Sequence, residues 1–597
     1  MDSPILSVIL FIFASTRYET VATCYFSNEF EGEYVMQSTL QGAPPPGNGI
    51  HYSALNITVN SIPIWGNCHK RIGNNFIFID NVSETSCIRC LHLKLRSANI
   101  LQVFATSQET LSKCFTNEES ALANCPSEES ILKRETAEIL LFKTKFGKQQ
   151  VHSKQYCPID GKYFVNYENP NLPIKSECKG NNSTVDSCPS GSTLNFRLRG
   201  CTFDSYELIF DCMGSWKGLN GESFLVFTDH RYKDGQKPKY RCAMYKEDKN
   251  TGKIHMALSK DSTCLTELHN STIGYEKFVL SPKREEQFPA EASGECTFPK
   301  WMQGNWEHLK VKEDTLVYKD HSSFKTYTIK CVEGHEQENR YFIYSRTQCN
   351  EGRYNCMRIA NRSINILEFQ IGTNASSSYN DVFTLCSDEN FERESWITQG
   401  KLDTEPQLSP GMCPILGEYT GQLPDNENLC GKMWSNCQAP DLMYYQVFNC
   451  GTKEIYEDRE YRCLGHWRES GMLYTYTQRN DVAAGTYECF VGSIVMGKEI
   501  HIKEAGEHCQ RGIDPYRYGM KLVKAESYSC KPSTQKPSIS YTTTSPTKIP
   551  HTTKKVIQNT YFDNSIPDST QENANSSGKL QFFGSLCIIL YVFHLYL

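Results

Sequence analysis

Short apolar and aromatic runs recur along most of the chain, with polar residues set between them at a period close to two. Phe224-Leu-Val-Phe227, Tyr327-Thr-Ile-Lys-Cys331, Tyr444-Tyr-Gln-Val-Phe448 and Leu473-Tyr-Thr-Tyr-Thr477 are examples. Bounded by Asn, Gly and Asp, they predict short antiparallel strands. Only Ser127 to Leu141 reads as partly helical, with Ser127 as a cap before Glu128 and Glu129. Two continuous apolar runs break the pattern, one at each end. Ile5 to Ala14 has the length of a signal-peptide core and is too short to span a bilayer. Phe582 to Leu597 would cover about 24 Å as a helix, short of a roughly 30 Å hydrocarbon core.

Cysteines used as rulers reveal an internal repeat. Four segments open alike, at Cys24, Cys157, Cys296 and Cys413, each with a Gly-x-aromatic step a few residues on. The starts are 133, 139 and 117 residues apart, the size of one compact domain each. The first and third segments match: Cys68, Cys87 and Cys90 correspond to Cys331, Cys349 and Cys356, and Asn99-Ile-Leu to Asn365-Ile-Leu. The second and fourth match through Cys212-Met-Gly-Ser-Trp216 with Cys463-Leu-Gly-His-Trp467, and Tyr240-Arg-Cys242 with Tyr487-Glu-Cys489.

The expected fold is therefore mainly β: four tandem disulfide-braced modules, small sandwiches or lipocalin-like barrels, in the order A-B-A′-B′. The expected boundaries are a signal peptide at 1–23 and modules at 24–145, 157–280, 296–398 and 413–530. A Ser/Thr/Pro-rich stalk at 531–577 and a hydrophobic tail at 578–597 complete the chain. Lys143–Tyr156, Ser281–Glu295 and Gln399–Met412 read as linkers.

Twenty-seven cysteines exclude an ordinary cytosolic protein. Module A holds Cys24, Cys68, Cys87, Cys90, Cys114 and Cys125. Module B holds Cys157, Cys178, Cys188, Cys201, Cys212, Cys242 and Cys264. Module A′ holds Cys296, Cys331, Cys349, Cys356 and Cys386. Module B′ holds Cys413, Cys430, Cys437, Cys450, Cys463, Cys489, Cys509 and Cys530. All 26 are expected in disulfides, and Cys587 lies in the tail. The counts in B and A′ are odd, so either a bridge crosses between them or a boundary is off by one cysteine. Connectivity does not follow from sequence.

The tail, with the small residues Asn573-Ala-Asn-Ser-Ser577 upstream, reads as a GPI-attachment signal, with Asn573, Asn575, Ser576 or Ser577 as the attachment residue. A single-pass anchor is the alternative. Between Lys531 and Ser577 lie 17 Ser or Thr and five Pro, which suits an extended O-glycosylated stalk. Sequons at Asn56, Asn81, Asn181/Asn182, Asn270, Asn361, Asn374 and Asn575 fit an extracellular surface.

Net charge is −6, from 62 basic and 68 acidic residues, which argues against a nucleic-acid partner. No Gly-x-Ser-x-Gly elbow, His-Glu-x-x-His helix or Walker loop is present in the sequence. His335-Glu-Gln-Glu lacks a second histidine, and Cys87-Ile-Arg-Cys90 has redox spacing that its counterpart Cys349–Cys356 does not repeat. No catalytic residue, cofactor or metal site is expected. Gly304-Asn-Trp306, Gly214-Ser-Trp216 and Gly465-His-Trp467 could open lipocalin-like strands around an apolar ligand, or serve as core aromatics behind disulfides.

Cys-Pro-Ile-x-Gly-x-Tyr, Cys-x-Phe-Pro-x-Trp-x-x-Gly-x-Trp and Tyr-x-Cys in alternating modules resemble an uncharacterised arthropod extracellular family of tandem cysteine-rich domains of unknown function. The resemblance spans Cys24 to Cys530 and implies architecture and location, with no activity to carry over. The expected function is that of a GPI-anchored, cell-surface, non-enzymatic receptor or adhesion ectodomain whose partner is an extracellular protein or glycan. The alternative is a carrier of a small apolar ligand.

Overall fold

The computed structural model describes residues 24–525 except 39–49, 81–85, 108, 110, 112–113, 147–148, 151–153, 172–175, 235–236, 284–286, 293, 295, 403–410, 425, 436 and 481–485. The expected signal peptide, the sequon at Asn81, Cys530, the stalk, the tail and Asn573, Asn575, Ser576 and Ser577 lie outside the described residues. The four modules belong to one compact unit ending at Pro532.

Each module is an antiparallel meander curled on itself. In B′, eight strands from Gly417–Leu423 to Met520–Lys524 pair in chain order. The last returns to the first at Tyr419↔Lys524 and Thr420↔Val523, closing a barrel. Module B closes likewise, where strand Tyr163–Asn169 pairs with Glu276–Pro282 from Tyr163↔Pro282 to Glu168↔Lys277. In A′ the ends meet at the Trp306↔Lys401 bridge, and the Glu307 amide donates to the Gly400 carbonyl at 2.9 Å. Module A is the same meander with its edges at His51–Ile57 and Ser61–Ile62.

Period-two strands put one set of side chains into each lumen. Aromatic residues fill it. In B, Phe210 stacks on Phe227 with ring centroids 4.0 Å apart, and Phe196 lies 5.3 Å from Phe210 and 5.0 Å from Phe278. Phe26, Trp65, Phe76 and Phe78 do the same in A, and Phe298, Trp306, Tyr318 and Tyr341 in A′. Tyr419, Tyr445, Tyr461 and Phe490 occupy the core of B′.

The partly helical reading of Ser127–Leu141 holds, and two linker bounds are corrected. Glu128–Leu132 is helical, with the Ser127 hydroxyl accepting from the Ser130 amide. The chain then enters strand Ala137–Phe146, where pairing with strand Ile100–Ala105 overrides local propensity. That strand also takes up the start of the first expected linker, and strand Ile397–Gly400 overlaps the third.

The disulfides repeat with the modules. Cys24–Cys68 and Cys90–Cys125 in A match Cys296–Cys331 and Cys356–Cys386 in A′. Cys157–Cys212, Cys178–Cys201 and Cys242–Cys264 in B match Cys413–Cys463, Cys430–Cys450 and Cys489–Cys509 in B′. Cys437 is also disulfide-bonded. The odd counts resolve at Cys188–Cys349, which crosses from B to A′ and leaves Cys87 to pair within A, with Cys114.

The sequence motifs shared by paired modules form the joints between them. Strand Tyr206–Lys217 bulges between Cys212 and Gly214, and strand Ile455–Glu469 between Cys463 and Gly465. Each bulge presents a carbonyl to the neighbouring hairpin. Asn99 Nδ2 donates to the Met213 carbonyl and Asn365 Nδ2 to the Leu464 carbonyl, both at 3.2 Å. A Cβ at Gly214 would lie 2.7 Å from Ser97 Oγ and 3.1 Å from Ile100 Cδ1. One at Gly465 would lie 2.8 Å from Ser363 Oγ and 3.1 Å from Ile366 Cδ1. Glycine is required because a neighbouring module seats there. Gly214→Val should destabilise the protein by about 1–3 kcal/mol by overpacking the joint. A chemical-denaturation midpoint equal to that of the wild type would refute the close contact.

The modules touch in a cycle. Between B and A′, Tyr156 packs on Phe324 with centroids 5.2 Å apart, and Lys319 pairs with Asp160 at 2.5 Å. Between B′ and A, the Tyr25 and Tyr456 rings lie 5.2 Å apart, and Arg479 pairs with Glu29 at 2.5 Å. Burial pushes the Glu29 carboxyl up, but the Arg479 guanidinium more than reverses this and holds it at about 2.

Candidate functional site

None of the three Gly-x-Trp positions opens a barrel lumen, although Trp216 lines a cleft between A and B. Trp306 is buried in the A′ core, its Nε1 donating to the Met302 carbonyl at 2.8 Å. Trp216 and Trp467 lie outside the lumens at the two joints, each stacked on an aromatic of the paired strand, Phe224 or Tyr474. Arg96 of module A covers Trp216 at 5.1 Å, and Arg362 of A′ covers Trp467 at 5.6 Å. Both tryptophans therefore serve module docking through cation–π contact. Cys87 and Cys90 join different partners, Cys114 and Cys125, so their spacing reflects two adjacent braces. His335 ends strand Lys325–His335, next to the turn Glu336–Glu338. Among the described residues no group of three His, Cys, Asp or Glu side chains converges as a metal site.

The described sequon asparagines outside the stalk are all accessible. Asn56, Asn181, Asn182, Asn361 and Asn374 are exposed, and Asn270 is half-buried beside a cleft of about 620 Å³ between A and B. Module B′ carries no sequon.

Module B′ also presents an outward face with several exposed apolar side chains. Its last three strands, Tyr487–Val495, Glu499–Glu504 and Met520–Lys524, place Ser493, His501 and Lys521 in one cross-strand row and Val495, Glu499 and Val523 in the next. Both rows share one face because they differ by two residues along each strand. The short helix Pro515–Tyr518, capped by Asp514, packs beside these strands. Tyr516 lies over His501 with ring centroids 4.7 Å apart, and its hydroxyl meets Ser493 Oγ at 2.7 Å. Tyr518 is 54% exposed, Val523 51%, and Met496 at the adjoining hairpin tip 92%. Glu499 bridges His501 at 2.7 Å and Lys521 at 3.0 Å, and hydrogen bonds from Lys521 and His501 hold its carboxyl below the ordinary range. Apolar and aromatic tips around a held polar row suit macromolecular contact better than bond-breaking chemistry.

This face was not evident from sequence. Tyr516-Arg-Tyr518 follows Asp514-Pro515, a helix-start signal, but only the sheet register aligns it with His501 and Val523.

Four family models match in tandem, each described as a domain of unknown function: DUF7044 at residues 22–130, DUF7042 at 153–282, DUF7043 at 292–398 and DUF7045 at 413–515. The chain is a tandem of these four domains. The DUF7045 match takes in most of the module that carries the candidate face, up to Pro515. No curated protein matches the chain. A solved structure of a Mycobacterium tuberculosis puromycin-hydrolyzing peptidase aligns at 11% identity and a TM-score of 0.11, over 71% of this chain and 54% of the peptidase chain. At that score the likeness informs neither the DUF7044–DUF7042–DUF7043–DUF7045 fold nor its function.

Proposed function

We propose that this chain is a GPI-anchored cell-surface glycoprotein of the arthropod tandem-domain kind, whose non-enzymatic ectodomain binds an extracellular protein or glycan. The observation that carries the reading is the B′ face: exposed Met496, Tyr516, Tyr518 and Val523 on the module that lacks sequons. The disulfide network suits an oxidising, extracellular compartment. Aromatic filling of the lumens favours a binding platform over an internal carrier of apolar ligands.

The test is made on cells expressing the full chain. Phosphatidylinositol-specific phospholipase C should release the protein, and retention on the membrane would refute the lipid anchor. Proximity labelling with the wild type should mark surface partners whose yield falls at least tenfold with Tyr516→Ser/Tyr518→Ser, as expected when about 1.4 kcal/mol or more of hot-spot contact is lost. Unchanged labelling with a folded double variant would overturn the assignment of the face.

A further inference from the structure

A second site lies at one mouth of barrel B, and it does not depend on the reading of the B′ face. Five charged side chains meet there: Asp229, Arg231, Arg241 and Glu276 are buried, and Lys237 is half-buried at the rim. Arg231 holds Asp229 with Nε 3.0 Å from Oδ1 and Nη2 2.6 Å from Oδ2, and its Nη2 also reaches Glu276 Oε2 at 3.0 Å. Arg241, fully buried, lies 3.3 Å from both Asp229 and Glu276, and Lys237 pairs with Glu276 at 2.5 Å. Three cations facing two carboxylates leave one positive charge in surplus. A surplus charge this poorly solvated favours an anion that offsets it.

A pocket of about 530 Å³ opens against this cluster and is lined by Arg231 and Lys237 together with Tyr167, Phe203, Tyr206 and Asn169. Asn169 is fully buried. Its Oδ1 accepts from the Asn171 amide, and its Nδ2 faces the Tyr167 hydroxyl without closing a full hydrogen bond. A buried donor so weakly satisfied is costly in a folded protein. The aromatic wall is ordered: Phe203 lies 5.9 Å from Tyr167 and 5.6 Å from Tyr206, centroid to centroid. The acidic Asp204 and Glu207 on the same wall are exposed to water and leave the buried surplus in place.

We propose that the mouth of module B binds a small organic anion, its carboxylate or sulfonate head held by Lys237, Arg231 and Asn169 Nδ2 and its flat or apolar body lying against Tyr167, Phe203 and Tyr206. The lumen below is filled by Phe210 and its neighbours, so the ligand occupies the mouth and does not thread the barrel.

The test uses the full chain from a secretory host and the probe 8-anilinonaphthalene-1-sulfonate, followed by fluorescence. One saturable equivalent should bind and be displaced by dodecanoate. Lys237→Met and Asn169→Leu should each weaken it at least tenfold, while Phe383→Ser, at an exposed site on A′, should leave it unchanged. Lys237→Met brings the cluster to neutrality, so it should keep the wild-type unfolding midpoint, and Asn169→Leu provides a second reading should it not. Unchanged binding in both variants would overturn the proposal. Displacement by sulfate or chloride as effective as by dodecanoate would overturn its organic-ligand part.

Discussion

Removing the cross-module disulfide with Cys188→Ala/Cys349→Ala should lower stability by about 4–5 kcal/mol and split unfolding into two transitions. The other bridges defined in the structure close loops of 20 to 55 residues within single modules. Cys188–Cys349 spans 161 residues and ties B to A′. In the chain-entropy account the restriction of the unfolded chain grows with loop length, and a loop of this size contributes about 5 kcal/mol. The non-covalent contacts at that junction are largely polar: beside the packing of Tyr156 on Phe324 and His321, they include the Lys319–Asp160 pair, the Tyr156 hydroxyl donating to the Asp320 carbonyl at 3.0 Å, the Gly191 amide donating to the Phe324 carbonyl at 2.7 Å, and Gln348 Nε2 donating to the Pro189 carbonyl at 3.2 Å. The A–B and A′–B′ joints, by contrast, bury apolar clusters that include Ile100, Phe142, Val226 and Tyr240 in one case and Ile366, Tyr476 and Val491 in the other. The variant should therefore unfold as two halves, A with B and A′ with B′. The check is denaturant unfolding followed by tryptophan fluorescence in parallel with hydrogen exchange. A single transition within 1 kcal/mol of the wild type would show that the cycle of non-covalent contacts already couples the halves.

The duplication was legible in the sequence because the features that define it are local: cysteine spacing, the Cys-x-Gly-x-Trp step and Asn-Ile-Leu all repeat within short windows. What those features do was not legible. A period of two tells which residues share a sheet face, but not which outer face meets a neighbour. The steps at Gly214 and Gly465 thus fitted either strands of a ligand barrel or core aromatics behind disulfides, and the glycines instead receive Ser97 and Ser363 of a neighbouring module. The odd cysteine counts limited the pairing without fixing it, since either a crossing bridge or a shifted boundary would satisfy them. The B′ face needs cross-strand register to bring Tyr516, His501 and Val523 together. The charge cluster of B was the least accessible, because its members come from separate stretches. Its one local trace is Arg241 inside the otherwise apolar run Tyr240–Met244.

That cluster sets the second large effect: Glu276→Gln should destabilise the protein by about 3–5 kcal/mol. Glu276 is fully buried and is the acidic partner shared by Arg231, Arg241 and Lys237. Burial pushes its carboxyl up, and the three cations together more than reverse this, holding it well below the ordinary carboxylate range. Removing one member of a buried ion cluster leaves the opposite charges unpaired, which is where the large penalty arises. Here the surplus would rise from one positive charge to two, with Asp229 the remaining buried carboxylate. The pH dependence follows in sign. A group whose folded pKa is depressed stabilises the protein above its unfolded value, and that contribution is lost as pH falls through the folded one. The wild type should therefore lose stability in the acid range relative to neutral pH, and Glu276→Gln should remove part of that acid sensitivity along with the stability itself. Unfolding midpoints at neutral and acid pH measure both. A variant within 1 kcal/mol of the wild type at neutral pH would mean that water reaches the cluster and screens it. The anion site at the same mouth would then lose its main electrostatic support.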